Sequence, residues 1–241
     1  MASFTMLDVA VLVGGHDFST DSNQVSLSVE VEDLDVTTFQ GGGYRTRIGG
    51  LKDISCEVSG FQDDGAVVDS EAIANLGVRD VPVTLSPTAT AGNTAYMFKA
   101  GQFSYESFGS VGEASPFSLS FQGTGGREGA VRGMLSAYNH TPVASTGFGD
   151  LEFSAAPASG QFVYAVVHVL EADTTMTLTV ESAADSDFTD PETQFTFPAI
   201  TATGGYWMTR IAGPLADQTF WRFNATTVTG PFNVACAIGV Q

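Results

Sequence analysis

The sequence is poor in charge, and poorest in positive charge. Charged residues make up 15% of 241, against roughly 25% in ordinary globular chains. Nine Lys and Arg face 27 Asp and Glu, a formal net charge of -18. Lys52 and Lys99 are the only lysines. So few cations exclude a surface built to grip nucleic-acid phosphates, which needs clustered Lys and Arg. They do not exclude a place beside nucleic acid, where repulsion is useful. Long apolar runs are also missing. The longest near the start, Val9 to Val13, is far short of the roughly 18 residues of a bilayer-spanning helix. No basic residue precedes Arg45, so a signal peptide is not expected. Cys56 and Cys236 stand far apart and form no CxxC pair. Their apolar neighbours predict two buried thiols, in keeping with a reduced, cytosolic origin.

Catalytic and ligand-binding signatures are scarce too. There is no HExxH, HxH or GxSxG. Of the three histidines, His16 and His140 lie by turns, and His168 sits in an apolar strand as a hydrogen-bonded core residue. Gly41-Gly42-Gly43 lacks the phosphate-loop pattern and reads as a Gly-rich excursion. Asp185, Asp187 and Asp190 cluster in a turn. They read as a solvated acidic turn or as oxygen ligands for calcium, although the EF-hand glycine and final Glu are absent. Asp63 and Asp64 precede Gly65 in a turn. Asn139 and Asn224 open glycosylation sequons, with nothing else to suggest secretion. No residues assemble into a catalytic site, metal site or cofactor site, so no enzyme is expected.

What the chain has is glycine (27), phenylalanine (18) and a period of two. Val25, Leu27, Val29 and Val31 alternate with Ser26, Ser28, Glu30 and Glu32, predicting a strand with one apolar and one acidic face. Similar patterns run through Ile54 to Val58, Val81 to Leu85, Tyr96 to Phe108, Pro116 to Gln122 and Val131 to Tyr138. A short helix is predicted from Ser70 to Leu76, capped by Asp69, stopped by Gly77 and stapled by Val68 and Ile73. Two turns are not stable alone, so the helix must lie on a sheet. Thr141 to Gly149 reads as a linker. The expected domains are therefore 1–146 and 147–241. Beyond the linker, Phe162 to Leu170 is apolar in both rows, a strand covered on both faces. The strands after it suggest a second β-sandwich. The predicted class is all-β: a two-sheet sandwich or barrel with one short helix, then a C-terminal β-sandwich.

The run from Asn23 to Asp63 adds a resemblance. Asn23-Gln24-Val25-Ser26-Leu27 is followed by Asp35-Val36-Thr37-Thr38-Phe39. Then come the Gly-rich stretch with Arg45 and Arg47, Gly50-Leu51-Lys52, and Ser59-Gly60-Phe61. In this order the set resembles the major tail tube protein of long-tailed, non-contractile bacteriophages, over about residues 6–138. Residues 147–241 resemble the accessory β-sandwich of some members. The resemblance implies a virion protein assembled in the bacterial cytoplasm, with six subunits closing a ring and rings stacking into a tube. It implies self-association and contact with tape-measure, tail-terminator and distal-tail proteins. DNA passes without specific binding, and no membrane is involved. The family's long loop maps to Thr37 to Gly50, making Phe39, Tyr44, Arg45 and Arg47 candidates for an inter-subunit arm. Glu30, Glu32 and Glu57 are candidates for the lumen face or, equally, an ordinary solvated face. Tyr206, Trp207 and Trp221 are candidates for a surface that stacks on host glycans, or for core packing; a glycan-binding module is the alternative function.

Overall fold

The computed structural model describes residues 6, 8–38, 44–62 and 67–241. In chain order the strands are β1 (Ala10–Val13), β2 (His16–Asp17), β3 (Ser22–Asp35), β4 (Arg47–Phe61), β5 (Val81–Ser86), β6 (Thr94–Ser107), β7 (Pro116–Gly123) and β8 (Val131–His140). They continue as β9 (Thr146–Glu152), β10 (Phe162–Glu171), β11 (Thr175–Ala183), β12 (Glu192–Thr196), β13 (Gly204–Trp207), β14 (Ile211–Ala212), β15 (Phe220–Thr229) and β16 (Asn233–Val240). The α-helix is α1 (Val67–Ala74). The protein is all-β, as the period of two predicts.

The chain divides into two compact units, each built from separate stretches. The larger takes the described residues up to Thr20 together with 81–98 and 131–241. It holds a sheet ordered β13-β10-β16-β8-β6-β5-β1-β2 and a second ordered β12-β11-β15-β9. The largest core lies where β9, β11, β12 and β15 meet β10 and β16. It contains Trp221, Phe223, Phe197, Met176, Leu178, Val163, Val167 and Ile238. β10 is buried on both faces, as expected from its two apolar rows. Its other row, Tyr164 and Val166, packs with Leu12, Met97 and Leu135.

The ends of the longer sheet return on themselves, with β2 against β10 and β5 against β13. Glycines allow the close approach. A Cβ on Gly15 would stand 2.4 Å from the Gly204 nitrogen, inside any real contact distance. His168 closes the seam. Its Nδ1 donates to the Gly14 carbonyl at 2.7 Å, and its Nε2 accepts from the Thr84 hydroxyl at 2.8 Å. Full burial lowers its pKa to about 4, so the ring is neutral and both nitrogens are satisfied.

The expected cut at 146/147 differs from this division. β9 begins at Thr146 inside the expected linker and pairs with β15. The last strand, β16, inserts between β8 and β10. Small and Gly residues mark a turn there, but long-range pairing decides which stretches pack together, and local composition carries no record of it.

The smaller unit takes residues 21–80 and 99–130. Its sheet is ordered β3-β4-β7-β6 and is antiparallel throughout. One face carries Cys56, Val58, Phe117, Leu119 and Phe121, all buried. Helix α1 is fastened to β6: the Gln102 amide donates to the Ala72 carbonyl at 2.7 Å, and the Tyr105 hydroxyl donates to Asp69 at 2.6 Å. The helix starts at Val67 rather than Ser70, so Asp69 lies inside the first turn and accepts the Tyr105 hydrogen bond instead of capping. Gly77 ends the segment at φ +81°, as its stop signal predicts. The staple does not form. Val68 and Ala72 are buried, whereas Ile73 is exposed, because the buried side of so short a helix is set by where β6 grips it.

Candidate functional site

The second face of the β3-β4-β7-β6 sheet is polar at most of its paired positions, with the exposed Phe103 ring lying over Gly101. Opposite residues in an antiparallel ladder share a face, so the register assigns it. Ser26 pairs with Glu57, Glu57 with Ser120, and Ser120 with Ser104. Ser28 pairs with Ser55, Ser55 with Gln122, and Glu30 with Asp53. Gln24 pairs with Ser59, Ser59 with Ser118, and Ser118 with Glu106. The face thus holds hydroxyls, amides and the carboxylates of Glu30, Asp53, Glu57 and Glu106, with no cation among these residues. Lys52 pairs with Val31 on the opposite face. Glu30 directly faces Asp53, a like-charged arrangement that costs stability in a sheet. The Ser28 hydroxyl donates to Glu30 at 3.0 Å. Two of the lumen candidates, Glu30 and Glu57, lie on this face and are exposed. Glu32, also exposed, lies farther out on β3. Asp53 and Glu106 were not found from sequence, since the strand pairing that aligns them with Glu30 and Glu57 is not written in local periodicity.

Beyond Ile54, β3 and β4 continue as a two-stranded ribbon. β7 pairs with β4 from Ser55 to Phe61, and β3 has no partner but β4 among the described residues. The ribbon is exposed on both sides, including Val29, Val31, Leu34 and Ile48. Tyr44 and Leu51 are 83% and 81% exposed. An isolated pair of strands is marginally stable in water, and an uncovered strand edge invites pairing with another chain. Local bonds order the ribbon's far end. Asp35 accepts from the Thr37 backbone at 2.9 Å and from its hydroxyl at 2.5 Å, which hold the Asp35 carboxyl below its usual pKa. The Thr37 oxygen accepts from the Thr46 backbone at 2.9 Å.

The arm residues fall on this ribbon in part. Tyr44, Arg45 and Arg47 are exposed on its returning strand side, while Phe39 and Gly41 to Gly43 lie outside the described residues. The two arginines already have partners within the ribbon. Arg47 meets Asp33 at 2.5 Å and Arg45 meets Asp35 at 3.9 Å. Exposed pairs of this kind contribute little, so both guanidiniums can exchange partners at small cost.

The aromatic candidates do not form one surface. Trp221 is fully buried in the main core, its indole N–H donating to the Gln218 carbonyl at 3.1 Å. The surface role expected as one alternative for Trp221 is thus corrected to core packing: β15 lies between β9 and β11, and the tryptophan is buried. Tyr206 and Trp207 are half-buried on β13. The Tyr206 hydroxyl donates to the Ala202 carbonyl at 2.9 Å, and Trp207 packs on Tyr164.

Asp185, Asp187 and Asp190 do not converge; among the described residues no three such side chains are placed to hold a metal. Asp185 instead accepts from the backbone of Asp187 and Thr189, which makes the segment a self-bonded turn. Asp63 and Asp64 lie outside the described residues. His140 stacks on Phe148 at 4.4 Å, and burial lowers its pKa. Both cysteines are buried and free, and desolvation raises the Cys56 thiol to about 12 and the Cys236 thiol well above its ordinary value. No helix among the described residues is long and apolar enough to cross a membrane.

No family model matches the sequence, and no curated protein matches it. Solved structures do. A chain from the virion of a native gene transfer agent particle is 18% identical, with 52% of this chain and 95% of that one covered at a TM-score of 0.43. A chain of the SPP1 tail tube is 19% identical over 54% of this chain and 78% of that one, at 0.40. SPP1 Dit, described as a hub adsorption apparatus protein of phages infecting Gram-positive bacteria, is 11% identical over 97% and 99%, at 0.38. Likenesses of this size record a similarity and carry no role across to this chain.

Proposed function

We propose that this chain is a structural subunit of a bacteriophage virion, joining copies of itself into stacked hexameric rings that form a tail tube and conduct DNA. The observation that carries the reading is the open face of the smaller unit's sheet, whose paired residues named above include four carboxylates, many hydroxyls and no cation. A bore that passes DNA must not hold it. Fixed negative charge repels phosphates, and without Lys or Arg there is no counterion release to favour binding. The Glu30–Asp53 juxtaposition fits this role, because an arrangement that costs the fold stability is retained where charge serves something else.

The exposed ribbon supplies the means of assembly. Its valines, Leu34, Ile48 and Leu51 are exposed among the described residues. A neighbouring copy covers them, and the free edge of β3 is shielded in the same step. Head-to-tail contacts of this sort close into rings or extend into filaments. The ordered resemblance of residues 6–138 to tail tube proteins supports the same reading, with other tail proteins as further partners in the virion.

The test is assembly. Purified protein imaged by electron microscopy is expected to give rings or hollow tubes. Arg45→Glu combined with Arg47→Glu is expected to stop tube growth and leave a folded monomer. Tubes of normal length from that double variant would remove the ribbon from the mechanism, and a wild-type protein that stays monomeric at every concentration would remove the tube.

A further inference from the structure

Half-buried cations in this chain come with carboxylates. Lys99 meets Glu128 at 2.7 Å. Arg222 meets Glu181 through Nε and Nη2, each at 2.9 Å, with its guanidinium 4.2 Å from the centre of the Phe188 ring. Among the described residues Arg210 is the exception. It is half-buried in the link between β13 and β14, and no carboxylate is within ion-pair distance. Its guanidinium stands 3.9 Å over the Phe162 ring, and its Nη1 donates to the Tyr164 hydroxyl at 3.1 Å. Tyr164 packs in turn on Trp207, ring centroids 6.1 Å apart. Lys52, Arg79 and Arg132 are exposed.

The aromatic shelf orients the Arg210 guanidinium without neutralising it. Of five N–H donors, one is taken by Tyr164. A guanidinium stacked on a ring keeps its donor edge for other groups, and that edge matches a carboxylate with two parallel bonds. We propose that Arg210, on its Phe162–Tyr164–Trp207 shelf, receives a carboxylate from a second copy of this chain. Charge points to that source: each copy carries 27 acids against 9 bases, so a sibling presents acids three times as often as bases. The inference rests on the reading that copies assemble, and it assigns a contact separate from the ribbon.

Sedimentation of the full chain over a concentration series tests it, with thermal melting as the check on folding. Arg210→Glu is expected to weaken association at least tenfold, equivalent to about 1.4 kcal/mol, without lowering the melting temperature of the monomer. Arg210→Lys, which keeps the charge but loses the planar fork, is expected to fall between this variant and the wild type. Added salt is expected to narrow the difference. If Arg210→Glu associates as tightly as the wild type, the shelf is an internal cation–π contact only; the inference is then overturned and self-assembly stands. If Arg210→Glu fails to fold, Arg210→Gln and Arg210→Lys decide, and wild-type affinity in both overturns the inference. A wild type that never associates overturns both readings.

Discussion

Strands β10 and β3 start from similar material and end in opposite surroundings. Both carry a row of branched apolar residues: Val163, Val167 and Val169 in one, Val25, Leu27, Val29 and Val31 in the other. In β10 the row is sealed, with β16 on one side and β13 and β14 on the other. In β3 the row is covered near its start and runs out into solvent by Val29. The difference is one of neighbours. β10 finds its cover within its own chain, while among the described residues the outer part of β3 pairs with β4 alone. A strand whose apolar row outlasts its partners is the form expected of a surface completed by another molecule.

The sharpest contrast comes from truncating the sealed region. Trp221→Ala removes the largest fully buried side chain and is expected to cost about 3 to 5 kcal/mol, read by urea denaturation. A loss below 1 kcal/mol would mean that the larger unit's core is loosely packed and the comparison fails.

Acid probes the same region next. His168 has a pKa of about 4 in the folded protein, lowered by burial, against about 6.5 in an unfolded chain. Below the unfolded value the unfolded state binds more protons, so stability falls with pH. The loss begins near pH 6.5, accumulates to about 3 kcal/mol near pH 4, and levels off below that. Denaturation midpoints measured from pH 7 to 4 check this, and a flat profile would place His168 in contact with water.

Two smaller effects belong to the open region. Asp53→Asn removes the charge facing Glu30 and is expected to stabilise the fold by about 0.2 to 1 kcal/mol. Destabilisation would mean the two carboxylates share a favourable partner. Leu51→Ser is expected to leave monomer stability within about 0.5 kcal/mol while impairing assembly. A larger loss would show Leu51 packed within its own chain.

The strands were legible in the sequence because alternation reports a local property: which side of the backbone meets water. β10's double burial, the Gly77 stop and the buried cysteines followed from the same local reasoning. The pairing of β16 with β8 and β10 was not legible, since it joins residues about a hundred positions apart for β8 and about seventy for β10 and leaves no local trace. For that reason the expected cut at 146/147 missed the compact units. Trp221 illustrates another limit: an indole between Phe220 and Arg222 favours core packing, but a surface stays open as the alternative until β9 and β11 are placed around it. The acidic face was half legible. Glu30 and Glu57 could be named from alternation, but Asp53 and Glu106 joined them only through the register of β3, β4, β7 and β6.

The most direct measurement is a cryo-electron microscopy reconstruction of the purified protein at high concentration. The expected result is a hollow tube whose bore is lined by Glu30, Asp53, Glu57 and Glu106, with the β3–β4 ribbon seated on a neighbouring copy. Isolated monomers, or a bore lined by lysine and arginine, would contradict it.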